Sequence, residues 1–253
     1  SFVNVDLVYG LPGQTLETFD RSIDRLLSMG ATRVAVYSYA HVPWVRPNQR
    51  RIDVSRLPEP SLKLELYLLA YDKLTRAGFT AIGMDHFAKP EDELSLAQQH
   101  GTLHRNFMGY TTRRGTDLVG FGVSAISFAA ERYAQNSKLL SAYQAAIESG
   151  QLAFERSCTL SADDHIRAEL ITELLCNFRL ELGPFAARHS LRWSEYFATE
   201  QPALEELARE GLVNLSEERL EITPRGRWFS RNVAMVFDVY LRTKERPRFS
   251  RTV

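Results

Sequence analysis

Cys158 and Cys176 are the only cysteines among the 253 residues. They are too few and too far apart for a C-x-x-C metal or redox motif, and they build no disulfide framework, which points to a reducing compartment. Both are expected as small buried residues on helices. Net charge is also missing: 31 Lys+Arg offset 31 Asp+Glu. That balance argues against bulk electrostatic attraction to nucleic acid or to an anionic membrane. Long apolar runs are absent too. The longest uncharged stretch near the middle, Leu118 to Ala130, has thirteen residues, against about 20 for a bilayer span. No signal peptide is visible, so a cytoplasmic location is expected. The remainder, 44% hydrophobic and 25% charged, is ordinary globular composition. At roughly 150 residues per domain it amounts to one large domain or one plus a smaller one.

Val3 to Tyr9 is rich in β-formers and ends at the turn cluster Gly10-Leu11-Pro12-Gly13. Thr15 is placed to cap a helix whose apolar face is Leu16, Phe19, Ile23, Leu26 and Leu27, closed by Gly30. Arg33 to Tyr39 follows as a second strand, so the segment predicts a βαβ unit and a parallel sheet. Because the chain opens at Ser1 on a strand already under way, it is expected to be a piece of a longer protein. Pro43, Pro47, Pro58 and Pro60 mark a long connection before a helix over Ser61 to Ala77. Phe79 to Met84 and Asp117 to Phe121 read as further strands, residues 85 to 116 as irregular, and Ser137 to Ser149 as a helix. Beyond Gly150 the texture becomes helical. Ser161-Ala162-Asp163-Asp164 approximates a capping box, and Pro184 suits the start of a short helix. A helical region from Ser194 to Glu210 precedes a hairpin, Leu212 to Leu215 with Leu220 to Ile222, and a last helix from Thr223 to Tyr240. This succession predicts a winged-helix-like module over 151–253, with a boundary near 150.

Asp6 stands toward the carboxyl end of the first parallel strand, where α/β folds gather ligands. It reads equally as a ligand-binding carboxylate and as a strand Asp satisfied by neighbouring backbone. Gly120-Phe121-Gly122-Val123-Ser124-Ala125 spells G-x-G-x-x-A, but no ribose-binding acid closes a second strand about 20 residues on. Those glycines are better read as permitting close backbone approach. His100 and His104 have helical i, i+4 spacing, yet Gly101 lies between them and no carboxylate completes a metal set. Arg105, Arg113 and Arg114 form the densest cationic group; they belong either to a solvated loop or to a site for anionic groups. In the winged-helix-like tail, the candidate recognition region holds Glu195, Glu200, Glu205, Glu206 and Glu210 with Arg209 as its only base, which favours a packing or lid module over a DNA reader. The basic ending Arg242, Lys244, Arg246, Arg248 and Arg251 is short.

Over Val5 to Thr15, Val36 to His41, Met84 to Pro90, Leu103 to Thr112, Asp117 to Ser127, Ile171 to Leu180 and Phe249 to Arg251, the chain resembles the oxygen-independent coproporphyrinogen III oxidases. These are radical S-adenosylmethionine enzymes of haem biosynthesis. The resemblance implies an α/β fold: the C-terminal part of a partial (β/α) barrel over 1–150, followed by the helical domain over 151–253. It implies a [4Fe–4S] cluster held by cysteines upstream of this chain and two molecules of S-adenosylmethionine. Asp6, Ala40 and Ile126 match family positions that contact S-adenosylmethionine. Met108 stands where the family carries a Gln that contacts the second one. A thioether cannot donate or accept as an amide does, so either a neighbour rebuilds that site or the chain is a divergent paralogue. The implied reaction converts two propionates of coproporphyrinogen III to vinyls, and Arg105, Arg113 or Arg114 are the expected carboxylate partners. Also implied are an electron donor such as flavodoxin and a monomeric full-length protein, with no nucleic-acid or membrane partner. A haem-chaperone-like radical S-adenosylmethionine paralogue is the alternative; a winged-helix regulator is a distant third.

Overall fold

The computed structural model describes residues 3–242. Their contacts fall into two units: residues up to Leu103 together with those from Glu173 onward, and His104–Thr172.

The first unit opens with β1 (Asn4–Tyr9), α1 (Leu16–Ser28) and β2 (Arg33–Ser38). β1 and β2 are parallel, with Asp6 opposite Ala35 and Val8 opposite Tyr37, so the expected βαβ unit is present. Thr15 and Thr18 exchange side-chain and backbone hydrogen bonds at the start of α1, and Gly30 follows its end at φ +73°. Phe19, Ile23 and Leu26 are buried and Leu27 packs beside them, whereas Leu16 stays exposed. After two 3-10 turns comes α2 (Pro60–Arg76). Its Leu66, Ala70 and Leu74 fill the same core, and Lys73 bridges Asp20 and Asp24 of α1 at 2.7 and 2.6 Å.

The strand expected over Phe79 to Met84 is shorter: β3 (Thr80–Ile82) reverses at Gly83 into β4 (His86–Ala88). The sheet order is β1-β2-β4-β3, and both pairings of β4 are antiparallel. Val5, Leu7, Val34, Val36 and Phe87 pack on the helix-covered face. Strand alternation sends Asn4, Asp6, Tyr37 and His86 to the other face. α3 (Glu93–Gln99) follows, N-capped by Asp92. Residues 85 to 116, which read as irregular, instead carry β4, α3 and the first hairpin of the second unit. Each of these is too short for a periodic apolar pattern to reveal it.

The second unit holds the hairpin β5 (His104–Asn106) and β6 (Gly109–Thr111), then β7 (Ile126–Ala129), β8 (Arg132–Asn136), α4 (Leu140–Glu148) and β9 (Phe154–Thr159). β7, β8 and β9 form one antiparallel sheet. Because β9 pairs with β8, the chain past residue 150 is still in this unit. The contact units therefore divide at 103/104 and 172/173, whereas the texture change lies near 150. The strand expected at Asp117 to Phe121 reduces to one bridge, Leu118 with Phe128. Close backbone approach does occur at the neighbouring glycine: a Cβ on Gly120 would lie 2.7 Å from the Ile126 carbonyl oxygen. Asn136 Nδ2 donates to the carbonyls of Gly120 and Gly122. α5 (Ala162–Asn177) starts here on the expected box, Ser161 N–H donating to Asp164 Oδ2 and Asp164 N–H to Ser161 Oγ.

The rest of the first unit is β10 (Arg179–Glu181), α6 (Leu182–Arg188), α7 (Trp193–Tyr196), α8 (Gln201–Arg209), β11 (Val213–Leu215), β12 (Arg219–Ile222) and α9 (Ser230–Met235). Helices followed by a wing, with β10 added in the order β10-β12-β11, give the winged-helix-like module. Two of its helices are shorter than expected. The region from Ser194 to Glu210 breaks between α7 and α8, and the last helix is α9 flanked by 3-10 turns. Phe185, Phe197, Leu204 and Phe237 are buried at its centre. Cys176 is buried on α5 as expected, but Cys158 is exposed on strand β9. The six residues of β9 are all exposed, so the strand lacks the alternation that would have marked it. Ser1, Lys244, Arg246, Arg248 and the Phe249 to Arg251 match lie outside the described residues.

Candidate functional site

In the first unit Asp6 is exposed on the polar face of the sheet. Its carboxylate is open to accept from hydroxyl or amine donors. Ala40, just past β2, is half-buried and lines a cavity of about 200 Å³ with Tyr9, Ser38, Tyr67, Asp85 and Arg231. Asp6 does not line that cavity. Tyr67 donates to the Met84 carbonyl at 3.1 Å. Burial pushes both the Tyr9 and Tyr67 phenols up, against the weaker effect of the Ser38 hydrogen bond on Tyr9, so both stay neutral at physiological pH. Lys63 Nζ donates to the Tyr39 carbonyl at 3.0 Å, and desolvation holds its pKa below the usual lysine value. His86 Nδ1 lies 2.7 Å from Asp85 Oδ1, and its ring meets Tyr37 edge-on.

In the second unit the three arginines singled out by their loop do come together. Arg105, Arg113 and Arg114 line one cavity of about 490 Å³ with His104, Asp117, Glu131 and His165. Arg114 is paired with Glu169 at 3.6 Å. The Arg105 guanidinium lies over the Tyr110 ring, 5.6 Å from its centroid. A second cavity of about 440 Å³ is lined by Ile126, Ala134, Arg156 and Cys158. Phe107 and Tyr133 border both cavities, so a cationic space and a largely apolar one share a wall. Burial, with a smaller effect of Cys158, raises the Tyr133 pKa. Met108 sits at the tip of the β5–β6 hairpin, 75% exposed, its N–H donating to Asn106 Oδ1 at 2.9 Å.

The sequence does not announce Tyr133, Glu131 and His165, which line the Arg105 cavity from β8, the turn between β7 and β8, and α5, with no local motif to flag them. His100 caps the end of α3 and His104 begins β5, so the pair shares no helix. Among the described residues no three His, Cys, Asp or Glu side chains converge as a metal site. In the winged-helix-like part, Arg242 is turned inward onto Glu200 at 2.6 Å and the Val236 carbonyl at 2.7 Å, which withdraws it from any phosphate. No helix of the described residues is long and apolar enough to cross a membrane.

A family model described as the HemN C-terminal domain matches residues 160–229. The chain is similar to the oxygen-independent coproporphyrinogen III oxidase of Escherichia coli, 44% identical over 251 residues, which cover 99% of this chain and 55% of that protein. It is 43% identical over 254 residues to the protein of the same name from Thermostichus vulcanus, covering 99% of this chain and 78% of that one. A solved structure titled "Coproporphyrinogen III oxidase (HemN) from Escherichia coli is a Radical SAM enzyme" superposes at a TM-score of 0.90 with 44% identity, over 94% of this chain and 55% of that one. The chain thus spans about half the length of the Escherichia coli relative. Identity at this level, over nearly its whole length and most of the Thermostichus vulcanus protein, means that the chain belongs to the oxygen-independent coproporphyrinogen III oxidase family.

Proposed function

We propose that this chain supplies the substrate-side portion of a radical S-adenosylmethionine enzyme that oxidatively decarboxylates two propionates of coproporphyrinogen III to vinyls, giving protoporphyrinogen IX. The observation that carries the reading is the pair of adjoining cavities, one walled by Arg105, Arg113 and Arg114 and the other apolar. A substrate with an apolar macrocycle and a carboxylate rim needs both kinds of wall. Arginine suits the rim because its planar fork meets a carboxylate through two hydrogen bonds.

S-adenosylmethionine fits the residues present. Within the first unit Asp6 offers an open carboxylate to ribose hydroxyls or the amino group, and Ala40 flanks a cavity that Asp6 does not line; within the second unit, taken by itself, Ile126 lines the largely apolar cavity. Given one electron from a reduced iron–sulfur cluster held outside this chain, it would release methionine and supply a carbon radical able to take hydrogen from an unactivated C–H bond. The protein's part is to hold the propionate carbon near that radical and to exclude water. An iron–sulfur cluster does not fit this chain: its ligation needs several thiolates at fixed spacing, and Cys158 is exposed while Cys176 is buried in the other unit. We assign the cluster to sequence that the relatives have and this chain does not span. A flavodoxin-like electron donor, a monomeric full-length protein and a cytoplasmic location complete the proposal.

Met108 favours a second reading, a haem-chaperone-like paralogue without decarboxylase activity. Anaerobic turnover of the full-length protein with dithionite separates the two. The oxidase releases CO₂ from coproporphyrinogen III; release of none, with S-adenosylmethionine and reductant present, favours the paralogue. Met108 itself gives a quantitative expectation. With a thioether in place of an amide, the full-length protein binds one equivalent of S-adenosylmethionine tightly, and Met108→Gln adds a second. Equilibrium dialysis that finds two equivalents in both proteins means that a neighbour has rebuilt the site.

A further inference from the structure

Two buried nitrogen atoms in the second unit lack a hydrogen-bond partner among the described residues: Arg105 Nε and His165 Nε2. Both residues line the same 490 Å³ cavity. A buried donor left without an acceptor costs about 1–3 kcal/mol, and exceptions of this kind in native proteins call for a specific reason. Two on one wall, one a guanidinium N–H and the other an imidazole nitrogen that donates in its Nε2–H tautomer, describe a socket for an anion. Arg105 is held by its stacking on Tyr110, and His165 by the first turn of α5, whose capping box fixes where that helix begins.

The carboxylate beside His165 supports the same assignment. Glu131 Oε2 lies 3.6 Å from His165 Nε2, beyond hydrogen-bond range, on a side chain that is 75% exposed. It occupies the two-residue turn between β7 and β8, where Ala130 and Glu131 both adopt positive φ, +49° and +60°. Asn-Gly is the favoured pair for such a turn, and each non-glycine residue there is strained by roughly 1–2 kcal/mol. Glu131 thus marks the approach to His165 without satisfying it. Of the three arginines, Arg114 is engaged by Glu169 and Arg113 is exposed, which leaves Arg105 as the anchor.

We propose that Arg105 and His165 together bind one carboxylate of the substrate, with its apolar body directed toward the Phe107 and Tyr133 wall. Arg113 adds long-range attraction, and Glu131 competes with the incoming carboxylate. Specificity follows: a ligand whose carboxyls are esterified leaves both donors unpaired and is rejected. The inference rests on the substrate class proposed above and adds the residues that read it.

The test uses the full-length protein and two probes, coproporphyrin III and its tetramethyl ester, with binding followed by porphyrin fluorescence. The wild type is expected to bind the free acid at least ten-fold more tightly than the ester. Arg105→Gln and His165→Ala each weaken free-acid binding about ten-fold or more, the range for a hydrogen bond to a charged group, and leave ester binding unmoved. Arg105→Lys recovers part of the loss. Glu131→Gln, at an exposed position outside the core, tightens free-acid binding about two- to five-fold, as expected when one competing surface charge is removed. Equal binding of acid and ester by the wild type overturns the assignment, as does free-acid binding unchanged in Arg105→Gln, His165→Ala and Glu131→Gln. CO₂ release by the wild type is scored separately. Normal release with unchanged binding in the variants rejects this site alone, whereas the expected binding shifts with no release reject the proposed reaction alone.

Discussion

Gly226→Ala is expected to destabilise the protein by about 3 kcal/mol and to lower its thermal unfolding midpoint by roughly 6–12 °C. The cause is close approach rather than an unusual backbone conformation, since Gly226 is not among the positive-φ glycines. A Cβ built on Gly226 overlaps the Leu212 carbonyl and reaches Ile222 Cγ2 at 3.0 Å. That carbonyl cannot retreat easily. It accepts from Thr223 N–H at 3.0 Å, and Thr223 Oγ1, which donates to the adjacent Gly211 carbonyl at 2.8 Å, accepts from Gly226 N–H. Gly150→Ala is the control. Gly150 has φ +73° and no atom within 4 Å of where its methyl group would sit, so only its left-handed conformation is penalised, by about 1–2 kcal/mol. Calorimetry that ranks the two substitutions the other way refutes this account of the wing.

Removing the guanidinium of Arg33 is expected to have a comparable or larger effect, roughly 3–5 kcal/mol. Arg33 Nε and Nη2 donate to the two oxygens of Asp92 at 3.1 and 2.7 Å, and Nη2 also reaches Glu93 at 3.3 Å. The Asp92 side chain is only 2% exposed and already caps α3 by accepting from Leu94 N–H. Burial disfavours the Arg33 charge, but the hydrogen bonds and charges of Asp92 and Glu93 outweigh it and raise the pKa. Arg33→Ala leaves a buried carboxylate with its backbone donor and no counter-charge. Arg33→Lys recovers only part of the loss, because an ammonium cannot make the two-pronged contact. Asp92→Asn keeps a competent cap and isolates the ionic part. Urea unfolding with a midpoint that Arg33→Ala does not move refutes the role given to this pair.

How much of this is legible in the sequence depends on how local each signal is. Thr15, the Phe19-Ile23-Leu26 spacing and Gly30 delimit α1 by short-range rules, and the strands on either side follow. Ser161 and Asp164 announce α5 in the same way. β3, β4, β5 and β6 have three residues each, and nothing local separates them from loop; they exist because distant backbone groups pair. The β7–β8 turn is hidden because Ala130-Glu131 is not a turn-favouring pair. The site divides along the same line. Arg105, Arg113 and Arg114 stand out as a run of like charge within one loop, whereas His165 lines their cavity only through tertiary packing that no local pattern encodes. Asp6 does lie on the expected strand, but its exposure depends on what covers the sheet, which strand periodicity does not reveal.

In the reaction we propose for the full-length protein, a carbon radical takes hydrogen from a substrate propionate held against these residues. The most direct measurement gives the full-length protein anaerobic reductant, S-adenosylmethionine and coproporphyrinogen III deuterated at the propionate β-carbons, then determines the isotope content of the 5′-deoxyadenosine formed. Deuterium in that product, in step with CO₂ release, is the predicted result. Unlabelled 5′-deoxyadenosine, or none while substrate is bound, contradicts the claim.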